Sequence, residues 1–276
     1  MSKNQKKEIF FHVGTGKTGT TYLQYRVFPK FKDIFYIQRT RYKKAKDIIR
    51  DTNYDRYLLS REFDQQMEKE VKWFAADFPD TTAISVFRRH DSYIASQYRR
   101  FVKNGFTGKF TDFFDLENDN GYFKQKDLDY FSQIQLLEQS FTRKPIVLFY
   151  EDMRHHPEEF IERLAERLRV SININSLNLS KKHSSYSEKQ LKSMMRAGKR
   201  INLQKRRIFK NGFLHFWWKL YMGAIRYTVL FFARILPENA QDKNNPLIPP
   251  EELEKVEKYY AADWQKCREY ANSNIG

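Results

Sequence analysis

The sequence contains one cysteine, Cys267, among 276 residues. That excludes an intramolecular disulfide and any zinc site built on cysteines. Acidic residues are scarce beside basic ones: 34 Asp and Glu stand against 50 Lys and Arg, a formal charge of +16. Such an excess concerns partners rather than fold, and it favours nucleic acid, an anionic membrane, a polyanionic substrate or a multiply charged nucleotide. A leader is not expected. Met1–Lys7 is polar and the apolar run Ile9–Val13 is too short for a signal peptide, so a reducing, cytoplasmic compartment is expected. The mean hydropathy of −0.77 argues against a membrane protein as a whole. No internal repeat and no long low-complexity linker interrupts the chain. What the chain does have is apolar and aromatic bulk, 41% hydrophobic with 24 Phe and 17 Tyr, enough for one substantial core.

Five short segments read as strands: Glu8–Gly14, Ile34–Gln38, Tyr57–Ser60, Thr82–Arg88 and Ile146–Tyr150. The first, fourth and fifth are nearly continuous apolar runs, the pattern of strands covered on both faces. Helical patterns lie between them, at Asp64–Ala76, Ser92–Asn104, Lys126–Ser140 and Pro157–Arg169. Asp64 and Asp91 are suited to N-cap positions and Pro157 to a first turn. This alternation predicts an α/β, three-layer architecture: a mainly parallel central sheet flanked by helices, with ligands at the carboxyl ends of its strands. After Ser171 the pattern changes. Asn173–Ser187 is polar, Ser187–Arg207 a basic helix, Phe213–Leu236 apolar and aromatic, Pro237–Pro250 a linker and Glu251–Ala271 a closing helix. Residues 1–180 therefore read as the α/β core and 181–276 as a basic, aromatic helical C-terminal appendage, packed on the same domain.

The first strand runs into Gly14-Thr15-Gly16-Lys17-Thr18-Gly19-Thr20-Thr21, three glycines, one lysine and four threonines ahead of a helix. That is the makeup of a phosphate-binding turn. Glycines let backbone N–H groups converge on an anion, the helix start adds partial positive charge, hydroxyls can donate, and Lys17 brings a full charge. A Walker A loop would need another glycine where Phe11 stands, so that pattern fails.

The stretch His12–Gln24 resembles the 5′-phosphosulfate loop of the PAPS-dependent sulfotransferase superfamily, in particular a bacterial branch with a His-x-Gly-x-x-Lys-Thr-Gly-Thr-Thr pattern. PAPS is 3′-phosphoadenosine 5′-phosphosulfate. The branch often carries His where Gly16 stands here. The resemblance implies a P-loop NTPase-like sulfotransferase fold, with Gly16, Lys17, Thr18, Gly19, Thr20 and Thr21 on the donor's 5′ end. It further implies that an Arg at a strand end and a Ser eight residues on clasp the 3′-phosphate, and Arg88 and Ser96 have that spacing. Arg offers phosphate a bidentate fork and Ser a hydroxyl donor. Tyr150-Glu151-Asp152 matches a third, weaker pattern, in which the two acids organise a loop and cap the following helix. The resemblance covers about residues 8 to 170.

Sulfuryl transfer requires an in-line nucleophile, charge stabilisation on the leaving phosphate and a base near the acceptor proton. Lys17 is placed for the leaving group. Glu62, after the third strand, is the first choice of base, with Arg61 as a neighbour that could pair with it; His12 is the second. His90 and His183 have no supporting pattern. Ser185 and Tyr186, in the polar segment Asn178–Ser187, are weak candidates for adenosine contact. No metal is required and no metal-ligand cluster is visible.

Phe213–Leu236 has the length of a membrane span, yet Lys219, Arg226 and Arg234 interrupt it, and with His215 they fall along one helical stripe. With Lys199, Arg200 and the Lys205-Arg206-Arg207 cluster, the region 199–236 suits either peripheral contact with an anionic membrane or packing on protein. The leading expectation is thus a sulfotransferase using PAPS, releasing 3′,5′-adenosine bisphosphate, and acting on a hydroxyl or amine of a glycan, glycolipid or cell-envelope precursor. It would be cytoplasmic, with possible peripheral attachment at the inner face of the membrane. Two alternatives are a nucleotide-dependent kinase with a divergent P-loop, whose nearest Mg²⁺ ligands would be Glu62 and Asp152, and a basic nucleic-acid-binding protein. No recognised nucleic-acid module supports the latter.

Overall fold

A computed structural model describes residues 7–178, 186–203, 209–235 and 246–274. These residues cluster into two compact units, one within the bounds Met1–His90, Lys126–Ser180 and Tyr259–Gly276, the other within Asp91–Gln125 and Lys181–Lys258.

The first unit holds a parallel sheet of five strands, β1 (Glu8–Val13), β2 (Phe35–Ile37), β3 (Arg56–Ser60), β4 (Thr81–Phe87) and β5 (Ile146–Phe149), in the order β2-β3-β1-β4-β5. Each strand sits within the segment expected from its apolar run or within one residue of it. Register follows from double-sided burial: Phe11 of β1 lies between Leu59 of β3 and Ala83 of β4, all three enclosed. Alternate residues serve opposite faces. Ile9, Phe11 and Val13 pack with Ile48 and Ile49 of α2 (Ala45–Asp51) and with Val71 and Phe74 of α3 (Met67–Ala75). Phe10 packs with Leu23, Phe28 and with Phe160, Ile161 and Leu164 of α8 (Pro157–Arg167). This is the three-layer arrangement. β1 leads to strands on one side and β4 to β5 on the other, so the connections diverge between them and leave a crevice outside the carboxyl ends of β1 and β4.

Several helix starts differ from expectation. α3 begins after Gln66 with no side-chain cap, because Asp64 is engaged elsewhere. Asp91 lies inside the first turn of α4 (His90–Lys103) instead of capping it. Pro157 does open α8, and Asp129 caps α6 (Tyr130–Ser140) by accepting the Ser132 N–H at 3.0 Å. Glu151 and Asp152 do not shape a loop: Tyr150–His155 is itself a helix, α7, immediately after β5. The closing helix is two, α11 (Pro250–Tyr259) and α12 (Ala261–Ser273). The break falls at Tyr260, whose buried ring stacks on His90 at 4.5 Å. α12 belongs to the first unit, where Cys267 and Ala271 pack with Val147 and Phe149 of β5 and with Tyr130 and Ile134 of α6.

In the second unit, α5 (Phe110–Phe113) is a single turn, and α9 (Glu188–Arg200) starts on a capping box formed by Ser187 and Gln190 and pairs with the long helix α10 (Gly212–Ile235). α9 stops at Arg200, short of the Arg207 expected; residues 204–208, like 179–185 and the core of the expected linker at 236–245, lie outside the described residues.

Candidate functional site at the ends of β1 and β4

Beyond Val13 the chain turns through Gly14–Gly19 and re-enters a helix at Thr20, with α1 (Thr20–Tyr22) followed directly by a π-helical segment, Leu23–Val27. The turn needs its glycines. Gly14 has φ +143° against Ser85, and Gly19 has φ +80° with the Met153 side chain where a Cβ would point. Lys17, which has a Cβ, also adopts φ +73°, a conformation that costs about 1–3 kcal/mol and must be held by its surroundings. Three bonds hold it. Arg88 Nη1 donates to the Lys17 carbonyl at 3.1 Å, Thr18 Oγ1 donates to the Thr15 carbonyl at 2.9 Å, and the Gly16 N–H donates to Asp64 Oδ1 at 3.0 Å.

Internal bonds engage three of the residues expected on the donor, Gly16, Thr18 and Thr20. The hydroxyls of Thr18 and Thr20 are buried and already donate, Thr18 to Thr15 and Thr20 to Glu62 Oε1. Both bonds stiffen the turn. The Gly16 N–H serves Asp64. Lys17 and Thr21 are exposed, and Gly19 is half-buried at the helix start.

The segment after β3 runs alongside. Arg61 N–H donates to the His12 carbonyl at 3.0 Å and Phe63 N–H to the Gly14 carbonyl at 2.7 Å, which extends strand-like pairing past Ser60. That extension carries Glu62, half-buried, to Thr20. His12 is different. It is enclosed on β1, its Nδ1 is 2.7 Å from Ser60 Oγ and its ring meets the Phe28 edge at 5.2 Å. Burial pushes its pKa down to about 3, so it is a neutral, sequestered imidazole and a poor base for a solvent-borne acceptor.

Arg88 follows the last residue of β4. Besides reaching Lys17, its guanidinium lies over the Tyr150 ring at 4.6 Å. Burial lowers its pKa, countered by Tyr150 and Glu151, so an added anion there would favour its charged form. Glu151 also fixes the neighbouring backbone, accepting the Arg89 N–H at 3.0 Å. His90 is structural. It stacks on Tyr130 at 4.1 Å, and its Nε2 lies 2.9 Å from Asp263, whose carboxylate also accepts the Tyr130 and Phe131 N–H groups. Ser96 lies half-buried within α4, eight residues after Arg88. His183 and Ser185 lie outside the described residues; Tyr186 is described, and Lys103 Nζ stands 4.8 Å from its ring centre. Sequence reasoning missed Asp64 as a partner of the turn and Tyr150 as the platform under Arg88, although Tyr150 belongs to the Tyr-Glu-Asp pattern it had singled out.

No family model matches the sequence, and no curated protein matches it. Solved structures do. A sulfotransferase from Alicyclobacillus acidocaldarius superposes with a TM-score of 0.52 at 15% identity, covering 73% of this chain and 97% of that one. The chain has the sulfotransferase fold. A mouse sulfotransferase complexed with PAP matches with a TM-score of 0.48 at 12% identity, covering 99% of this chain and 91% of that one. A sulfotransferase domain from the curacin biosynthetic pathway matches with a TM-score of 0.38 at 13% identity, covering 65% and 80%. The fold assignment rests on the first of the three. Within this fold, the turn after β1 and the arginine after β4 bring Lys17 and Arg88 to the carboxyl ends of adjacent strands. Among the described residues no group of three or more His, Cys, Asp or Glu side chains is arranged to hold a metal ion.

Proposed function

We propose that this chain transfers a sulfuryl group from PAPS to a hydroxyl or amine of an acceptor, releasing 3′,5′-adenosine bisphosphate. One observation carries the reading: Arg88 donates to the carbonyl of Lys17 at 3.1 Å, so the turn and the arginine, 71 residues apart, form one cationic corner at the carboxyl ends of adjacent strands. A nucleotide phosphorylated at two positions needs such paired anion sites. In the reaction the acceptor oxygen or nitrogen bonds to sulfur, the bond from sulfur to the bridging phosphate oxygen breaks, and the acceptor proton leaves with a base. Lys17, exposed on a strained turn, stabilises the leaving 5′-phosphate. Backbone N–H groups at the start of the helix after Gly19 assist it. Arg88 takes the 3′-phosphate, and Ser96 is its expected companion. Glu62, tethered by Thr20, receives the proton.

The acceptor we favour is a glycan, glycolipid or other cell-envelope precursor, on the strength of the +16 charge and the apolar helix α10. The accompanying location is cytoplasmic, at or near the inner membrane face. A kinase reading draws less support, since Asp152, one of its two nearest Mg²⁺ candidates, is paired with Arg268 at 2.9 Å.

Thermal unfolding with 3′,5′-adenosine bisphosphate, ATP, GTP and a single-stranded oligonucleotide tests the reading. Selective stabilisation by the bisphosphate, by about 2.7 kcal/mol at a hundredfold excess over its Kd, is expected. Equal or greater stabilisation by ATP or by the oligonucleotide would favour the kinase or the nucleic-acid alternative.

A further inference from the structure

α10 has two apolar faces, and α9 covers one of them. Met222 and Leu230 of α10 meet Met194 and Leu203, with Trp218, Ile225 and Val229 packed partly against them. On the opposite side Phe213, Trp217, Leu220, Tyr227, Phe231 and Ile235 follow one another at intervals of three, four or seven residues and are exposed, Phe213 by 68%, Trp217 by 54% and Phe231 by 60%. Such spacing aligns them along the roughly 36 Å length of a 24-residue helix. A contiguous aromatic strip of that extent marks an interaction surface.

Its charge environment selects the occupant. From Lys189 to Ile235 the chain carries twelve Lys and Arg and no Asp or Glu. Lys199, Arg200, Lys210, Lys219 and Arg234 are exposed. Lys219, Arg226 and Arg234 stay on one side of the unbroken helix, as their spacing implies; Arg226 donates to the Leu203 carbonyl at 2.8 Å, while Lys219 and Arg234 are exposed. Two copies of this face would bring like charges together, whereas anionic headgroups would neutralise them. No described helix is long and apolar enough to cross a membrane, and a helix that exposes Trp, Tyr and Phe together with Lys and Arg suits the interfacial plane.

We propose that the outer face of α10 docks on an anionic lipid surface, with Phe213, Trp217, Leu220, Tyr227, Phe231 and Ile235 entering the acyl boundary. This is independent of the donor-site reading. The test is sedimentation of the full chain with vesicles of phosphatidylglycerol and phosphatidylcholine in equal parts, against phosphatidylcholine alone. Binding to the anionic vesicles is expected, with loss as salt rises. The Trp217→Glu/Phe231→Glu protein should bind about tenfold more weakly, and so should Lys199→Glu/Arg200→Glu, which leaves the strip intact should the first variant fail to fold. Sedimentation no greater with anionic than with neutral vesicles overturns the proposal. So does a self-association that Trp217→Glu/Phe231→Glu abolishes in a chain that binds no vesicle, because the face would then belong to a second copy.

Discussion

In β4 all seven residues from Thr81 to Phe87 are buried, while in the 24-residue α10 three are, Met222, Leu230 and Ala233. Both segments are apolar in sequence. The difference lies in how many neighbours each has. A strand inside a parallel sheet is bonded along both edges and covered on both faces, so its side chains have nowhere else to go. A helix paired with one other helix offers about half its circumference, and the rest stays outside unless something else arrives. An apolar run therefore reports burial where the fold surrounds it, and an interaction where it does not.

The comparison breaks most readily in stability. Phe11→Ala opens a cavity among Phe63, Phe74 and Tyr42, whose ring centres lie within 6.1 Å, and should cost about 3–5 kcal/mol in urea unfolding. Phe231→Ala should change stability by no more than about 0.5 kcal/mol. An equal loss from both would mean that the outer face of α10 is covered in solution.

The next contrast is between cations at the sheet's carboxyl end and cations on α10. Lys17→Ala should lower turnover by on the order of 10²–10³, with a smaller effect on binding of 3′,5′-adenosine bisphosphate. Arg88→Ala should weaken that binding by roughly 10–100-fold, the worth of a hydrogen bond to a charged group. Arg88→Lys should rescue it poorly, because a point charge does not reproduce the fork. Lys219→Ala should alter neither quantity. Unchanged binding and turnover in both the Lys17 and Arg88 variants would remove the donor-site reading.

These residues were legible for different reasons. The five strands could be read because double-sided burial leaves continuous apolar runs, and the turn after β1 because a left-handed backbone recruits glycine. Arg88 was singled out by the family resemblance, and only its position just after β4 could be read from the apolar run before it. Asp64 was not, since its bond to Gly16 joins residues 48 apart, and an acid ahead of a helical pattern looks like a cap. The break at Tyr260 was invisible for a similar reason, as helical periodicity continues across it while the stacking on His90 that occupies its ring is tertiary. His12 could be placed on its strand, but its unfitness as a base follows from enclosure, which pattern alone does not measure.

That enclosure has a pH signature. His12 is held neutral with its pKa lowered to about 3, below its ordinary 6.5, so below pH 6.5 the unfolded chain takes up a proton that the folded chain refuses. Its contribution to stability is complete above pH 6.5 and is lost on acidification towards pH 3, at up to about 1.4 kcal/mol per pH unit. Urea midpoints should fall over that window, and His12→Gln should flatten the dependence. An unaltered slope in the variant would assign it to other groups.

The smallest expected effect returns to the α9–α10 pair. α9 begins with Ser187 Oγ accepting the Gln190 N–H at 3.3 Å while the Gln190 side chain accepts the Ser187 N–H at 3.0 Å. Ser187→Ala removes one half of that box and should cost about 1 kcal/mol. In the sheet such a loss would be spread over a cooperative core. A helix pair with one open face has fewer covering contacts, so the change should surface as local opening. Amide exchange in the first turns of α9 should quicken about fivefold, the rate equivalent of that energy. If protection there is unaffected on the bare protein, something beyond α10 already holds α9 in place, and the account of α10's outer face as open would have to be revisited with lipid present and absent.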